Sequence, residues 1–241
     1  MPIDGRVAIV TGAGSGIGRA ICLQLAREGV HVAAVDLDPE TAAATARAVS
    51  ELGRASQAHG LDVADRAAVQ AMADQVRGAW GRIDVLVACA GINFHRSVLE
   101  TTEADWDRLL DTHLKGTLFC VQAVLPTMME QRSGRIVTTV SGQAQAGRPG
   151  TAAYATAKGG LISFTKVLGK EAEPYGITVN AFGPGVTDTP MVRKGNSPEQ
   201  LARIAAEQAP FGVLPTAEQS AELAVWFTRP ETAHITGRIF L

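Results

Sequence analysis

Seven short runs rich in apolar and β-branched residues recur along the chain, and a helix-like spacing of apolar residues fills each interval between them. The runs are Arg6–Thr11, His31–Asp36, Ala55–Asp62, Arg82–Cys89, Gly134–Val140, Ile177–Phe182 and Thr236–Leu241. Helical spacing covers Gly16–Glu28, Pro39–Leu52, Asp65–Ala79, Glu103–Gln131, Thr151–Glu173 and Thr216–Thr228. Strands that alternate with helices imply right-handed crossovers and a parallel sheet. Val7-Ala8-Ile9-Val10 and Val85-Leu86-Val87 are apolar at consecutive positions, which suits strands covered by helices on both faces. The expected fold is α/β: a doubly wound, seven-stranded parallel sheet with helices on both faces. It forms one domain over 1–241, with no linker or repeat.

One stretch breaks the rhythm. Gly183–Pro215 holds five prolines, scattered glycines and a helical pattern around Glu199–Gln208. An insertion at about 186–215 reads as a lid or binding loop, or as a surface excursion covering the sheet. Composition narrows the class. With 46% hydrophobic and 19% charged residues, disorder is excluded as the main state. No run approaches the roughly 20 apolar residues of a membrane span. The start, Met1 to Arg6, lacks a basic-then-apolar leader. A net charge of −2 without a one-signed block points to neither nucleic acid nor an anionic membrane. Cys22, Cys89 and Cys120 are odd in number, form no CxxC and sit in apolar stretches, so a reducing, cytoplasmic setting is expected.

The first run leads into Thr11-Gly12-Ala13-Gly14-Ser15-Gly16-Ile17-Gly18 and then a helix. Gly12 permits a tight turn, Gly16 lets backbone approach a pyrophosphate, and Gly18 lets the helix pack close to the sheet. The helix start then offers free N–H groups and a positive dipole end to phosphates through Ser15, Gly16 and Ile17. A glycine motif after a strand and before a helix, in the first βα unit, points to a dinucleotide. Asp36 closes the second run, 18 residues after Gly18. A carboxylate there accepts hydrogen bonds from both ribose hydroxyls and repels a 2′-phosphate. Leu37, Asp38 and the turn itself supply no cation, so NAD is expected rather than NADP. Asp62-Val63 meets the adenine edge or is a plain strand-to-helix cap.

Tyr154 and Lys158 stand four apart, on one helix face. A cation near a phenol lowers the tyrosine pKa and fits it for proton exchange with an alcohol or ketone oxygen near neutral pH. Ser141, after the fifth run, can hydrogen-bond the same oxygen. With Thr11–Gly18, Asp62-Val63, Ala90-Gly91, Ser141, Tyr154-x-x-x-Lys158, Asn180 and Pro184-Gly185-Val186-Thr187-x-Thr189 in this order, the chain resembles the short-chain dehydrogenase/reductase family in its compact, single-domain Rossmann form. The resemblance runs from Gly5 to Leu241. It implies Tyr154 as acid/base, Ser141 as polariser of the substrate oxygen, and Lys158 as a ligand of the nicotinamide ribose that lowers the tyrosine pKa. It also implies that Pro184, Gly185, Thr187 and Thr189 hold the nicotinamide amide, and that hydride passes directly to or from carbon without a metal. The five histidines form no ligand cluster.

Three departures stand out. The family's Asn-Asn-Ala-Gly reads Ala88-Cys89-Ala90-Gly91, with Cys89 read as core rather than reactive. His113 stands where the family has a catalytic asparagine supporting a water chain. It either keeps that relay and adds a pH dependence near its ordinary pKa, or is a packed helix histidine. The chain stops at Leu241, short of a Val-Asp-Gly-Gly tail, which reads as trimming or a truncated C-terminus.

Candidate substrate residues are Asn93, Phe94, His95, Gln143, Arg148, Thr151, Met191 and Arg193, with Arg148 and Arg193 able to meet an anion. The resemblance implies a homotetramer or homodimer through Glu103–Gln131 and Thr151–Glu173. The expected activity is NAD-dependent hydride transfer between nicotinamide and a small secondary alcohol or ketone. Two alternatives stay open: an NADPH-dependent 3-oxoacyl thioester reductase, and a cofactor-binding protein without turnover.

Overall fold

The computed structural model describes residues 4–194 and 196–241. Strands and helices alternate: β1 (Val7–Thr11), α1 (Gly16–Arg27), β2 (His31–Asp36), α2 (Pro39–Glu51), β3 (Ser56–Gly60), α3 (Arg66–Trp80) and β4 (Val85–Ala88). There follow α4 (Glu103–Leu110), a π-helical turn (Asp111–Lys115), α5 (Gly116–Gln131), β5 (Gly134–Thr139), α6 (Gln143–Ala146), α7 (Ala152–Ala172) and β6 (Ile177–Phe182). The chain closes with α8 (Pro190–Arg193), α9 (Pro198–Gln208), α10 (Ala217–Trp226) and β7 (Ile239–Phe240). All seven strands are parallel, in the order β3-β2-β1-β4-β5-β6-β7. The order reverses between β1 and β4, and in such sheets the crevice beyond the carboxyl ends there is the ligand site.

Alternation along β1 shows why the sheet needs cover on both faces. Ala8 and Val10 pack with α1, α2 and α10, whereas Val7 and Ile9 pack with α3, α5 and α7. Each fully buried Ile or Val contributes about 1.5–3 kcal/mol over an exposed one. The helix starts are written locally: Asp38 caps α2, Asp65 caps α3, and Thr102, Ser197 and Thr216 open α4, α9 and α10 with reciprocal capping boxes.

Three segments depart from expectation. The continuous helix expected over Glu103–Gln131 is interrupted by the π turn, whose extra residue accompanies the burial of His113. Residues 141–150 include the short α6, and the expected insertion begins with the equally short α8 before α9. The last strand is two residues long, not six, because side chains replace its ladder. Gly237 turns with φ 68° and its N–H reaches the Val179 carbonyl, 2.7 Å away. The buried Asn180 amide then donates to the Ile235 carbonyl (2.8 Å) and accepts from the Arg238 N–H (3.1 Å). Asn180 is thus a clamp on the final segment. Asn180→Ala leaves both backbone groups without their partner and is expected to lower stability by about 1–3 kcal/mol, read as a shifted urea midpoint at constant m-value. A change within about 0.5 kcal/mol, the range of a surface substitution, contradicts the clamp.

Candidate active site

The glycine turn sits at the reversal point and is held by three contacts. The Thr11 hydroxyl accepts from the N–H groups of Cys89 and Ala90, both at 3.1 Å, tying the end of β1 to the end of β4. Gly12 lies in the left-handed region (φ 66°), and a Cβ there would stand 2.9 Å from Ala90 Cα. A Cβ at Gly18 would fall 2.0 Å from the Gly12 carbonyl oxygen, so α1 begins directly against the turn. Ser15, at the N-cap of α1, gives no side-chain cap, so it leaves the first-turn N–H groups uncapped, the condition under which a helix start can take an anion.

The carboxylate of Asp36 reaches back across this turn. It accepts from the Gly14 N–H at 2.8 Å and from the Asp38 N–H at 3.1 Å, leaving lone pairs for further donors. Gly14 makes this possible, since a Cβ there would lie 2.2 Å from Thr41 Oγ1 and 2.9 Å from Asp36 Cγ. Motif spacing assigned no role to Gly14, because its constraint comes from α2. Leu37 is 66% exposed beside Asp36. The exposed Asp62 carboxylate accepts from the Ala64 N–H at 2.9 Å, and buried Val63 packs against Gly116.

At the carboxyl end of β5, Ser141, Tyr154 and Lys158 come together. The Ser141 hydroxyl accepts from the Gln143 N–H at 3.2 Å, as α6 begins, and lies near enough to the Tyr154 phenol to influence its protonation. Lys158, 4% exposed, donates from Nζ to the Thr139 carbonyl at 2.6 Å and lies 5.6 Å from the Tyr154 ring centroid. Burial pushes this ammonium down to about 8. Burial also raises the phenol above its ordinary value, with the Ser141 hydroxyl opposing it. The net shift of the phenol is thus upward, with desolvation of the phenolate as its largest cause.

His113 is a packed helix histidine. Its side chain is 2% exposed, edge-on to the Tyr154 ring with centroids 5.5 Å apart. Nε2 lies 2.8 Å from the Ile92 carbonyl and 3.2 Å from its N–H; the shorter contact suits a proton on Nε2. Nδ1 is buried without a partner. The His113 carbonyl already accepts from the Thr117 hydroxyl at 2.7 Å. Burial and the Lys158 charge push the imidazole down to about 3, so it stays neutral near pH 7. Cys89 is half-buried; burial raises its thiol while the Thr139 hydroxyl and the Lys158 charge oppose this, and its N–H donates to the Thr11 hydroxyl at the glycine turn.

The Pro184–Thr189 segment closes over the turn: a Cβ at Gly16 would lie 3.2 Å from the Thr189 methyl. The Thr187 hydroxyl shares a 2.7 Å bond with Ser220, and Thr189 caps α8. Gly185 also turns with positive φ. Of the substrate candidates, Asn93, Phe94 and Met191 line a cavity next to Gly91 and Ile92. His95 and Arg148 are exposed and line no part of it, and Gln143 sits at the start of α6. Thr151 is buried, bonded to the Arg148 carbonyl. Arg193, expected to meet an anion, forms a two-pronged pair with Asp188 at 2.6 and 2.7 Å. Among the described residues no helix is long and apolar enough to cross a membrane, and no group of three or more His, Cys, Asp or Glu is placed to hold a metal ion.

Sheet order, crossovers and glycine turn define a Rossmann-type nucleotide fold. Comparison with known proteins narrows this further. Residues 6–200 match the family model for short chain dehydrogenases. The chain is 42% identical over 236 residues to the short-chain reductase protein NovJ of Streptomyces niveus, covering 96% of this chain and 90% of that one. It is 35% identical over 239 residues to the 3-oxoacyl-[acyl-carrier-protein] reductase FabG of Thermotoga maritima, covering 99% and 96%. The crystal structure of an NAD+-bound xylitol dehydrogenase superposes with a TM-score of 0.93 at 28% identity, covering 100% and 98%. The chain belongs to the short-chain dehydrogenase/reductase family, whose members are oxidoreductases that use nicotinamide cofactors.

The His113 environment has a consequence for stability. With a folded-state pKa near 3 and an unfolded value near 6.5, the unfolded chain takes up the proton first. Stability is then lost as pH falls below about 6.5. Between pH 7 and pH 5 the wild type should lose about 2 kcal/mol more than His113→Asn in urea unfolding. Parallel losses would mean that the imidazole protonates in the native state.

Proposed function

We propose that the protein is an NAD-dependent dehydrogenase/reductase of secondary alcohols and ketones, with Tyr154 exchanging the proton. The observation that carries this reading is the convergence of Tyr154, Ser141 and Lys158 beside Cys89, one hydrogen bond away from the glycine turn. The chain's residues fit a dinucleotide: the uncapped start of α1 suits the pyrophosphate, and the Asp36 carboxylate suits the adenosine ribose. Asp62, Val63, Ala90 and Gly91 would border the adenosine. Lys158, Pro184, Gly185, Thr187 and Thr189 would border the nicotinamide side.

A bound nicotinamide supplies or accepts hydride. The chain's part is the proton. Burial keeps Tyr154 protonated at neutral pH, so its O–H is ready to donate to a carbonyl oxygen as charge builds there. Ser141 adds a second donor to that oxygen. Lys158 offsets the phenolate left behind, and in the alcohol-oxidising direction it supports the phenolate that must form. Asp36 favours NAD, since its charge opposes a 2′-phosphate and exposed Leu37 adds no cation. Reduction of 3-oxoacyl thioesters is a second reading, drawn from the FabG relatives. Assembly into a homotetramer or homodimer is supported by exposed Leu118 on α5 and Val167 on α7.

Tyr154→Phe should lower turnover in an alcohol and ketone panel by roughly a hundredfold or more, the scale of general acid–base catalysis, while NAD+ affinity stays nearly unchanged. Wild-type turnover in that variant would refute the assignment. NADP+ supporting the wild type as well as NAD+ would refute the role of Asp36.

A further inference from the structure

Beside Ile92 and Phe94, which share an apolar cluster with Tyr154, lies a cavity of about 570 Å3. Its apolar lining comes from Ile92, Phe94 and Met191, and its charged lining from Arg96, Asp105, Arg108 and Lys194. These are three cations against one carboxylate. The carboxylate is already engaged: Asp105 pairs with Arg96 and accepts from the Thr102 hydroxyl (2.7 Å) and N–H (3.3 Å) at the start of α4. Arg108 and Lys194 form no ion pair among the described residues. Lys194 follows Arg193, whose own charge is taken by Asp188. Two cations without an ion pair among the described residues therefore line one cleft in a chain whose net charge is −2.

We propose that this outer cleft is an anion subsite, in which Arg108 and Lys194 receive a carboxylate or phosphate carried by the substrate away from its reacting carbonyl. Phe94 and Met191 cover the apolar stem between the two ends. The inference rests on the ketone-reducing assignment of Tyr154 and narrows its substrate class to anionic carbonyl compounds. Two sources supply the same chemistry: a carboxylate on the substrate itself, or the phosphates of a pantetheine carrier. A cleft concentrates such charge complementarity more than an open surface does, and salt screens it.

The test compares matched pairs with NADH. Methyl ketones carrying a terminal carboxylate, acetoacetate and its longer homologues, are each set against their methyl esters. Acetoacetyl-CoA is set against acetoacetyl-N-acetylcysteamine. At low salt the charged member of at least one pair should lead by roughly tenfold in kcat/KM, mainly through KM, and the lead should shrink as salt rises. The pair that shows it names the source. In Arg108→Gln/Lys194→Gln the ratio should approach one. Charged members that never lead, or a lead that survives the double substitution, overturn the subsite. If no ketone oxidises NADH, the activity assignment falls on its own. Calorimetric titration of the protein with levulinate and with methyl levulinate then decides the subsite: binding of the acid alone, lost in the double variant, supports it, and equal or absent binding of the pair overturns it.

Discussion

The 2.6 Å hydrogen bond from the Lys158 ammonium to the Thr139 carbonyl is the contact around which the site is arranged. It requires the carboxyl end of β5 and the first turns of α7 to meet without water between them. That exclusion of water sets the electrostatics of every neighbour. Lys158 is pushed down to about 8 and His113 to about 3, and the Tyr154 phenol is held above its ordinary value. Each group is driven toward its neutral form, as desolvation dictates for acids and bases alike. The site at rest thus holds a protonated phenol and a weakened ammonium rather than a phenolate–ammonium pair.

This desolvated cluster is joined to the nucleotide cleft by backbone, which keeps the two in register. Thr11 ties β1 to Cys89 and Ala90, and the Cys89 thiol feels the Lys158 charge. Gly12, Gly14 and Gly18 each stand where a Cβ would meet the residues after β4, α2 or the turn itself. A strand pair buried on both faces makes such close approaches reproducible, because the packed core leaves the strand ends little freedom.

Much of this was legible in the residue pattern. The bounds of β2 and β6 fall where the apolar runs end, because turn residues and buried β-branched side chains agree there. Ser141, Tyr154 and Lys158 were recognisable by spacing, and the structure brings them together. What escaped the pattern depends on contacts distant in sequence. The break at Asp111–Lys115 keeps helical periodicity and leaves no signature. β7 is short because the Asn180 side chain takes over its hydrogen bonds, and Gly14 is constrained by Thr41 and Asp36. The direction of the Tyr154 shift turns on burial against charge, and a four-residue spacing carries the charge but not the burial.

The chemistry of the resting site turns on one proton, and with only two tyrosines in the chain, Tyr154 and Tyr175, its ionisation can be read optically. An alkaline titration of phenolate absorbance, taken as the difference between wild type and Tyr154→Phe, isolates Tyr154. A desolvated Tyr154 titrates with a midpoint above the ordinary tyrosine value of 10 in the protein without cofactor. A midpoint near neutrality would show that Lys158 governs the phenol after all, and would contradict the desolvated site described above.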